Sequence, residues 1–155
     1  MSYLFVALSY LIGSINFAYL VAKYKKLDIS SSGSGNPGTS NVMRTIGKKY
    51  AAIVLIGDVF KGFIPIFLFD ENLLLCGFAA VIGHIYPIFY KFKGGKGVAT
   101  YIGVYIAFST LNPISYDLFE NSYFLFLNIP VLAIFYFVVF KISRISAIAS
   151  LLTVF

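Results

Sequence analysis

Tryptophan is absent from this 155-residue chain, and cysteine occurs once, at Cys76. A single cysteine excludes an intrachain disulfide and any CxxC metal site, and inside an apolar run it reads as a small buried side chain. Histidine also occurs once, at His84, so no set of metal ligands can be assembled around it. Charge is scarce as well. Asp, Glu, Lys and Arg make up 12% of the residues, about half of what a soluble domain carries.

Apolar residues fill the space left by these absences. The hydrophobic fraction is 59%, with 12 Tyr and 17 Phe, and mean hydropathy is +0.88. Such a composition predicts a membrane protein whose aromatics sit at the interfaces or pack between helices. The apolar runs cover about Tyr3–Ala22, Tyr50–Phe69, Leu73–Tyr90, Val98–Thr110 and Ser122–Phe140, with another starting at Ile145. Runs near ~20 residues match a hydrocarbon thickness of ~30 Å; the fourth is shorter and reads as a tilted, shifted or re-entrant span. The expected fold is an all-α, polytopic helical bundle forming a single membrane-embedded domain over residues 1–155. No basic residue precedes the first run, and Lys23, Lys25 and Lys26 follow it, so it reads as a retained helix rather than a signal peptide.

The net charge of +6 follows this topology. Lys23, Lys25, Lys26, Arg44, Lys48 and Lys49 lie between the first two runs; Lys91, Lys93 and Lys96 lie between the third and fourth; Lys141 and Arg144 follow the fifth. The alternate connections carry Asp70, Glu71, Asp117 and Glu120 and no Lys or Arg. Only Lys61 falls inside a run. This is the positive-inside pattern, with an outside N-terminus and cytoplasmic basic loops. The basic excess therefore points to topology and anionic lipid or substrate, not to nucleic acid.

Four polar constellations interrupt the apolar sequence. The first is GSGNPGTSNVMR, residues 33–44. Gly33, Gly35 and Gly38 allow unusual backbone conformations, Pro37–Gly38 favours a turn, and such a loop can aim several N–H groups at one anion. Thr39, Ser40 or Asn41 is expected to cap a short helix beginning near Val42, and Arg44 adds a planar fork suited to phosphate oxygens. The alternative is a solvated connector; the spacing of the glycines, without a preceding strand, does not make a dinucleotide fingerprint. The second is KFKGGKGVAT, residues 91–100, where Lys96 and three glycines form either a basic turn or a second phosphate clamp. It is not a Walker A loop, because Gly97 follows Lys96. The third is GDVFKG, residues 57–62: Asp58 and Lys61 lie i, i+3 on one helix face. A charge near mid-membrane costs ~3 kcal/mol, so an ion pair is expected there, with positioning of the loops or a polar substrate contact as further roles. The fourth is GHIYP, residues 83–87, whose His84 is either a buried, hydrogen-bonded side chain or a substrate or proton-transfer residue. No Ser-His-Asp arrangement is readable, and Phe89, five positions after His84, excludes the HxxxxD pattern of many glycerolipid acyltransferases.

Taken together and in order, YLIGSINFAYLVAK, GSGNPGTSNVMRTIGKK, GDVFKGFIP, GHIYPIFYKFKGGKGVAT and RISAIAS resemble the bacterial acyl-phosphate:glycerol-3-phosphate acyltransferases, the PlsY family, over nearly all of residues 1–155. The resemblance implies a seven-helix enzyme of the bacterial cytoplasmic (inner) membrane, active on its cytoplasmic side. It would transfer an acyl group from acyl phosphate to glycerol 3-phosphate, releasing phosphate, without metal or other cofactor. Acyl phosphate, glycerol 3-phosphate and membrane lipids are then the partners. Carried over by resemblance, Arg44, Lys96 and His84 are the catalytic candidates. Ser34, Gly35, Asn36, Gly38, Thr39, Asn41, Gly94, Gly95 and Gly97 are phosphate-binding candidates, and Asp58 and Lys61 support them.

The sequence departs from the family in three places. Asn16 stands where a proline is common. The outer loop around Leu111–Ser122 is longer. The chain also stops at Phe155; Ile145 to Phe155 is 11 residues, or ~16 Å of helix. About five spans and a partial sixth are therefore expected here, and the family's last helix and third motif, a tail with His, Asn and Glu, have no counterpart. The expectation is a C-terminally incomplete chain that is inactive or poorly folded by itself. The competing class is a transporter or channel subunit for an anionic solute, which would need polar residues at midplane, where only Asp58 and Lys61 are candidates.

Overall fold

A computed structural model describes residues 2–110, and every structural statement below concerns those residues. The expected fifth and sixth runs, the outer loop at 111–122 and the basic pair Lys141 and Arg144 lie outside them. The chain divides into two compact units, Met1–Val104 and Tyr105–Phe155. The candidate site residues all belong to the first.

Among the described residues every regular element is helical: α1 (Ser2–Ser14), α2 (Phe17–Tyr24), α3 (Thr39–Thr45), α4 (Lys48–Leu68), α5 (Leu73–Ile85), a single 3₁₀ turn (Ile88–Tyr90) and α6 (Val98–Thr110). Three stretches, Tyr3–Tyr24, Lys48–Leu68 and Leu73–Tyr90, are long and apolar enough to cross a membrane. Their outer surfaces expose Leu4, Leu20, Ile56, Phe60, Phe67 and Phe78, the apolar exterior expected against lipid.

Two apolar runs are not single helices. The first breaks at Ile15–Asn16 although no glycine or proline marks the break. Asn16 adopts an extended backbone, and its side-chain Oδ1 accepts a hydrogen bond from the Tyr19 N–H at 3.1 Å. A carboxamide offered to a backbone N–H starts a new helix, which ends the old one. The third run stays helical only to Ile85. Pro87 disfavours helical backbone in the preceding residue, and the chain then reverses through Lys91 and Phe92, both with left-handed φ. The Tyr10 hydroxyl donates to the Tyr86 carbonyl at 2.8 Å and pins this bend to α1.

Helices pack through small residues. A Cβ placed on Gly13 would collide with the Ala80 backbone, and one on Gly83 with the Tyr10 carbonyl, so α1 and α5 meet nearly backbone to backbone. Likewise Gly62 abuts the Thr100 carbonyl and Gly103 the Val59 carbonyl, joining α4 to the first turns of α6. Close approach of this kind replaces the hydrophobic drive that lipid removes. Ser9 and Ser14, fully buried on α1, satisfy their hydroxyls on the carbonyls of Phe5 and Tyr10, one turn back.

The non-membrane end has its own core. Ala18, Val21 and Ala22 of α2, Val42 of α3, and Ala51 and Val54 of α4 enclose Ile29, which has no exposed surface. Ile29 is the one strongly apolar residue between Asp28 and Asn41, and it anchors the polar loop between these helices.

Gly62→Leu and Gly83→Leu should each destabilise the protein by ~1–3 kcal/mol through overpacking. Phe78→Leu on the exposed face should stay within ~0.5 kcal/mol. Thermal unfolding of detergent-purified variants checks both; equal midpoints for Gly62→Leu and Phe78→Leu would show that α4 and α6 are not in backbone contact.

Candidate functional site

The first polar loop is built around Asn41. This residue is buried, and its carboxamide is spent inside the loop: Oδ1 accepts the Ser34 N–H at 2.9 Å, and Nδ2 donates to the carbonyls of Ser32 at 2.9 Å and Ile29 at 3.4 Å. Gly33 and Gly35 have φ of 59° and 72°, a region glycine enters without strain. Gly38, at φ −149°, is ordinary extended backbone, so its expected conformational role does not hold. The expected side-chain cap from Thr39, Ser40 or Asn41 is also absent. Helix α3 starts at Thr39, and the Gly38 carbonyl accepts the N–H groups of Asn41 and Val42. The reason is that the N-cap position falls on Gly38, which has no side chain to offer, and Thr39, Ser40 and Asn41 lie inside the helix.

The commitment of Asn41 to the loop changes which groups can meet an anion. The N–H of Ser34 goes to Asn41, that of Gly35 to the Ser32 carbonyl and that of Gly38 to the Asn36 carbonyl. The expected nest of N–H groups is to this extent closed on itself, and the loop's accessible chemistry lies in side chains. Ser34 and Arg44 are exposed, while Asn36 and Thr39 are half-buried. Arg44 sits in the last turn of α3, not at its N-terminus.

The second loop folds back on the end of α5. The N–H groups of Gly94 and Gly95 donate to the carbonyls of Ile85 and His84, at 3.1 and 3.2 Å, satisfying two carbonyls that a helix end would otherwise leave open. A side chain on Gly94 would strike those same carbonyls. Close approach to the end of α5 is therefore one thing these glycines provide. Gly97, at φ 79°, turns the chain into α6. Lys96 stays exposed between them, and partial desolvation lowers its pKa from the ordinary lysine value. An anion beside the ammonium would oppose that shift.

Beneath both loops lies a buried polar chain. Lys61 and Asp58 form the expected i, i+3 ion pair, Nζ to Oδ1 at 2.9 Å, with both side chains almost without exposure. Lys61 Nζ also donates to the Ile15 carbonyl at 2.6 Å, at the break between α1 and α2. On its other side, Asp58 Oδ1 faces His84 Nδ1 at 3.6 Å. The far nitrogen of that imidazole, Nε2, lies against Gly95, where any side chain would overlap it. His84 is thus buried behind the second loop, facing a carboxylate with one nitrogen and the loop with the other.

The two loops touch at Gly95. A Cβ there would lie 3.2 Å from the Pro37 carbonyl oxygen. The structure thus brings the Pro37 turn, Gly95, His84, Asp58 and Lys61 into one neighbourhood, with Lys96 one residue from the contact. Two participants escaped the sequence reading, the backbone carbonyls of Ile15 and Pro37, because carbonyls carry no sequence signal. Asn16 was legible only as a departure from a proline common in the resembled family.

Comparison with known proteins identifies the family. The profile of the family described as "Glycerol-3-phosphate acyltransferase" matches residues 3–155. The glycerol-3-phosphate acyltransferase of Aquifex aeolicus is 47% identical over 111 residues, covering 67% of this chain and 58% of the relative. That of Methylobacillus flagellatus is 50% identical over 115 residues, 69% of this chain and 58% of the relative. The chain thus spans little more than half the length of the curated relatives it matches. Two crystal structures of PlsY, an integral membrane glycerol 3-phosphate acyltransferase, superpose on 98% of this chain. Its glycerol 3-phosphate form gives a TM-score of 0.73 at 37% identity and is 72% covered; its lysophosphatidic acid form gives 0.70 at 36% and is 71% covered. The chain belongs to the glycerol-3-phosphate acyltransferase family, as a multi-pass, all-helical membrane protein.

Proposed function

We propose that this protein transfers a fatty acyl group from acyl phosphate to glycerol 3-phosphate, giving 1-acyl-glycerol 3-phosphate and phosphate for phospholipid synthesis. The observation that carries the proposal is the approach of the two glycine loops at Pro37 and Gly95, with Lys96 accessible on the second and Arg44 accessible on α3, which follows the first. Both substrates bear phosphate, and one bears a fatty tail. A pair of cationic loops beside apolar helices suits that combination. Relatives crystallised in glycerol 3-phosphate and lysophosphatidic acid forms support it. We treat residues 1–155 as one membrane-embedded acyltransferase domain in the bacterial inner membrane, with the N-terminus outside and the loops at 23–49 and 91–97 cytoplasmic.

Acyl phosphate is a mixed anhydride, so its leaving group needs little help. A glycerol 3-phosphate hydroxyl attacks the acyl carbonyl carbon, the new ester C–O bond forms, and the bond from that carbon to the phosphate oxygen breaks. The hydroxyl proton passes to a phosphate oxygen of the substrate. The protein's part is to hold two anions together and neutralise them. Arg44 offers a planar fork to phosphate oxygens and Lys96 a point charge. The Ser34 hydroxyl, Asn36 and Thr39 add neutral contacts. Gly35, Gly38, Asn41, Gly94, Gly95 and Gly97 shape the loops that present them, and His84, Asp58 and Lys61 support the second loop from below. That Asp58 and Lys61 neutralise each other favours the enzyme over a transporter, which would need midplane charge open to a solute.

Arg44→Ala and Lys96→Ala should each lower turnover on the order of a hundredfold, the ~3 kcal/mol of one preorganised charge. Lys48→Ala should leave it near normal, and Lys96→Arg should recover part of the activity. Steady-state assays with acyl phosphate and glycerol 3-phosphate measure this in the intact membrane protein; near-normal kinetics in both alanine variants would overturn the phosphate-clamp account. Orientation has its own test. In a Cys76→Ala background, Lys25→Cys and Asp117→Cys should label from opposite sides of sealed vesicles; labelling of both from one side would reverse it.

A further inference from the structure

We propose that Asn16 is a positioning residue for the reaction: its buried carboxamide tethers the break in the first span to the Pro37 turn at the point where the two loops touch, and so holds Arg44 and Lys96 in one register. This rests on the acyltransferase reading above, but the tether itself is a statement about geometry.

Asn16 has no exposed surface. Its two side-chain atoms do different work. Oδ1 accepts the Tyr19 N–H at 3.1 Å and caps α2, a local task. Nδ2 donates to the Pro37 carbonyl at 3.4 Å, across 21 positions, reaching from the transmembrane break into the polar loop. That same carbonyl oxygen lies beside Gly95 of the second loop, and Gly95 lies against His84 Nε2. From His84 the contacts run through Asp58 to Lys61 and return to the Ile15 carbonyl, the residue bonded to Asn16. The path is closed. It joins both loops to three spans, and Asn16 is the member that ties the first loop in.

The closure explains why so polar a residue is buried in an apolar run. Capping alone is served by serine or aspartate equally well. Capping α2 and holding the Pro37 carbonyl together takes an acceptor and a donor on separate atoms, which a carboxamide has and a hydroxyl or an ionised carboxylate does not. A misplacement of about an ångström between groups that hold two substrates costs rate without unfolding the protein.

The two tasks are separable by substitution. Asn16→Ser keeps a capping oxygen, but its one hydroxyl sits a bond nearer the backbone than Nδ2 and falls short of the Pro37 carbonyl; Asn16→Asp keeps the size and the acceptor and, ionised, has no donor. Nitroxide labels on Ser31→Cys and Lys93→Cys, two exposed positions outside the site, with Cys76→Ala, report the separation of the loops by pulsed electron resonance in detergent-purified protein. The expected result is a broader interloop distance distribution in both variants and kcat/KM lower on the order of tenfold, with far-ultraviolet dichroism at the parent level. An unchanged distribution in either folded variant would overturn the tether, whatever the activity. A broadened distribution with unchanged kcat/KM would overturn the positioning role. Should a complete enzyme carrying this sequence carry out no acyl transfer at all, the functional reading above and the positioning role fall together, while the distance distribution still decides the tether. If the serine variant does not fold, the aspartate variant carries the test.

Discussion

The ion pair between Lys61 and Asp58 is what the rest of the site depends on. Each charge alone would be costly inside a membrane helix, and the pair removes most of that cost. Lys61 has more donors than one carboxylate uses, and one reaches the Ile15 carbonyl. That carbonyl needs a partner because the first span breaks there. In hydrocarbon an unsatisfied backbone group costs several kcal/mol, so a broken span is tolerated only where the protein supplies the missing bond. Lys61 supplies it, Asp58 balances Lys61, and His84 lies between Asp58 and Gly95 of the second loop.

Glycine follows from the same constraint. Where lipid provides no hydrophobic drive, helices gain stability by approaching closely, and the pairs Gly13 with Ala80 and Gly62 with Thr100 do this within the bundle. At the membrane edge the device serves a different end. Gly94 and Gly95 let the second loop settle onto the last carbonyls of α5, which satisfies those carbonyls and sets Gly95 between His84 and the first loop. Residues that resemble a phosphate cradle in one dimension are, in three, also the seat of the loop on α5.

Both polar loops are therefore shaped from within. Ile29 sinks into the core, Asn41 gathers three backbone groups, and Gly33 and Gly35 make the turns that this requires. A flexible connector would need none of these. Order of this kind lowers the cost of binding any ligand at the loops, since less freedom is lost when it binds.

Several features were decided by the amino-acid sequence alone. The apolar runs dictate membrane-spanning helices because hydrocarbon leaves the backbone no other partner than itself. The i, i+3 spacing of Asp58 and Lys61 dictates their pairing, since one helix face carries both. The ordered glycine and lysine motifs sufficed to place the chain in its family. Tertiary structure decided the rest. The break at Asn16, the end of α5 at Ile85, the early start of α3, the use of Asn41 as a brace and the meeting of Pro37 with Gly95 all depend on partners far away in the chain. Whether an amide caps, braces or binds is set by which backbone groups come within about 3 Å of it, and those groups carry the same N–H and C=O at every position but proline, so only the fold selects among them.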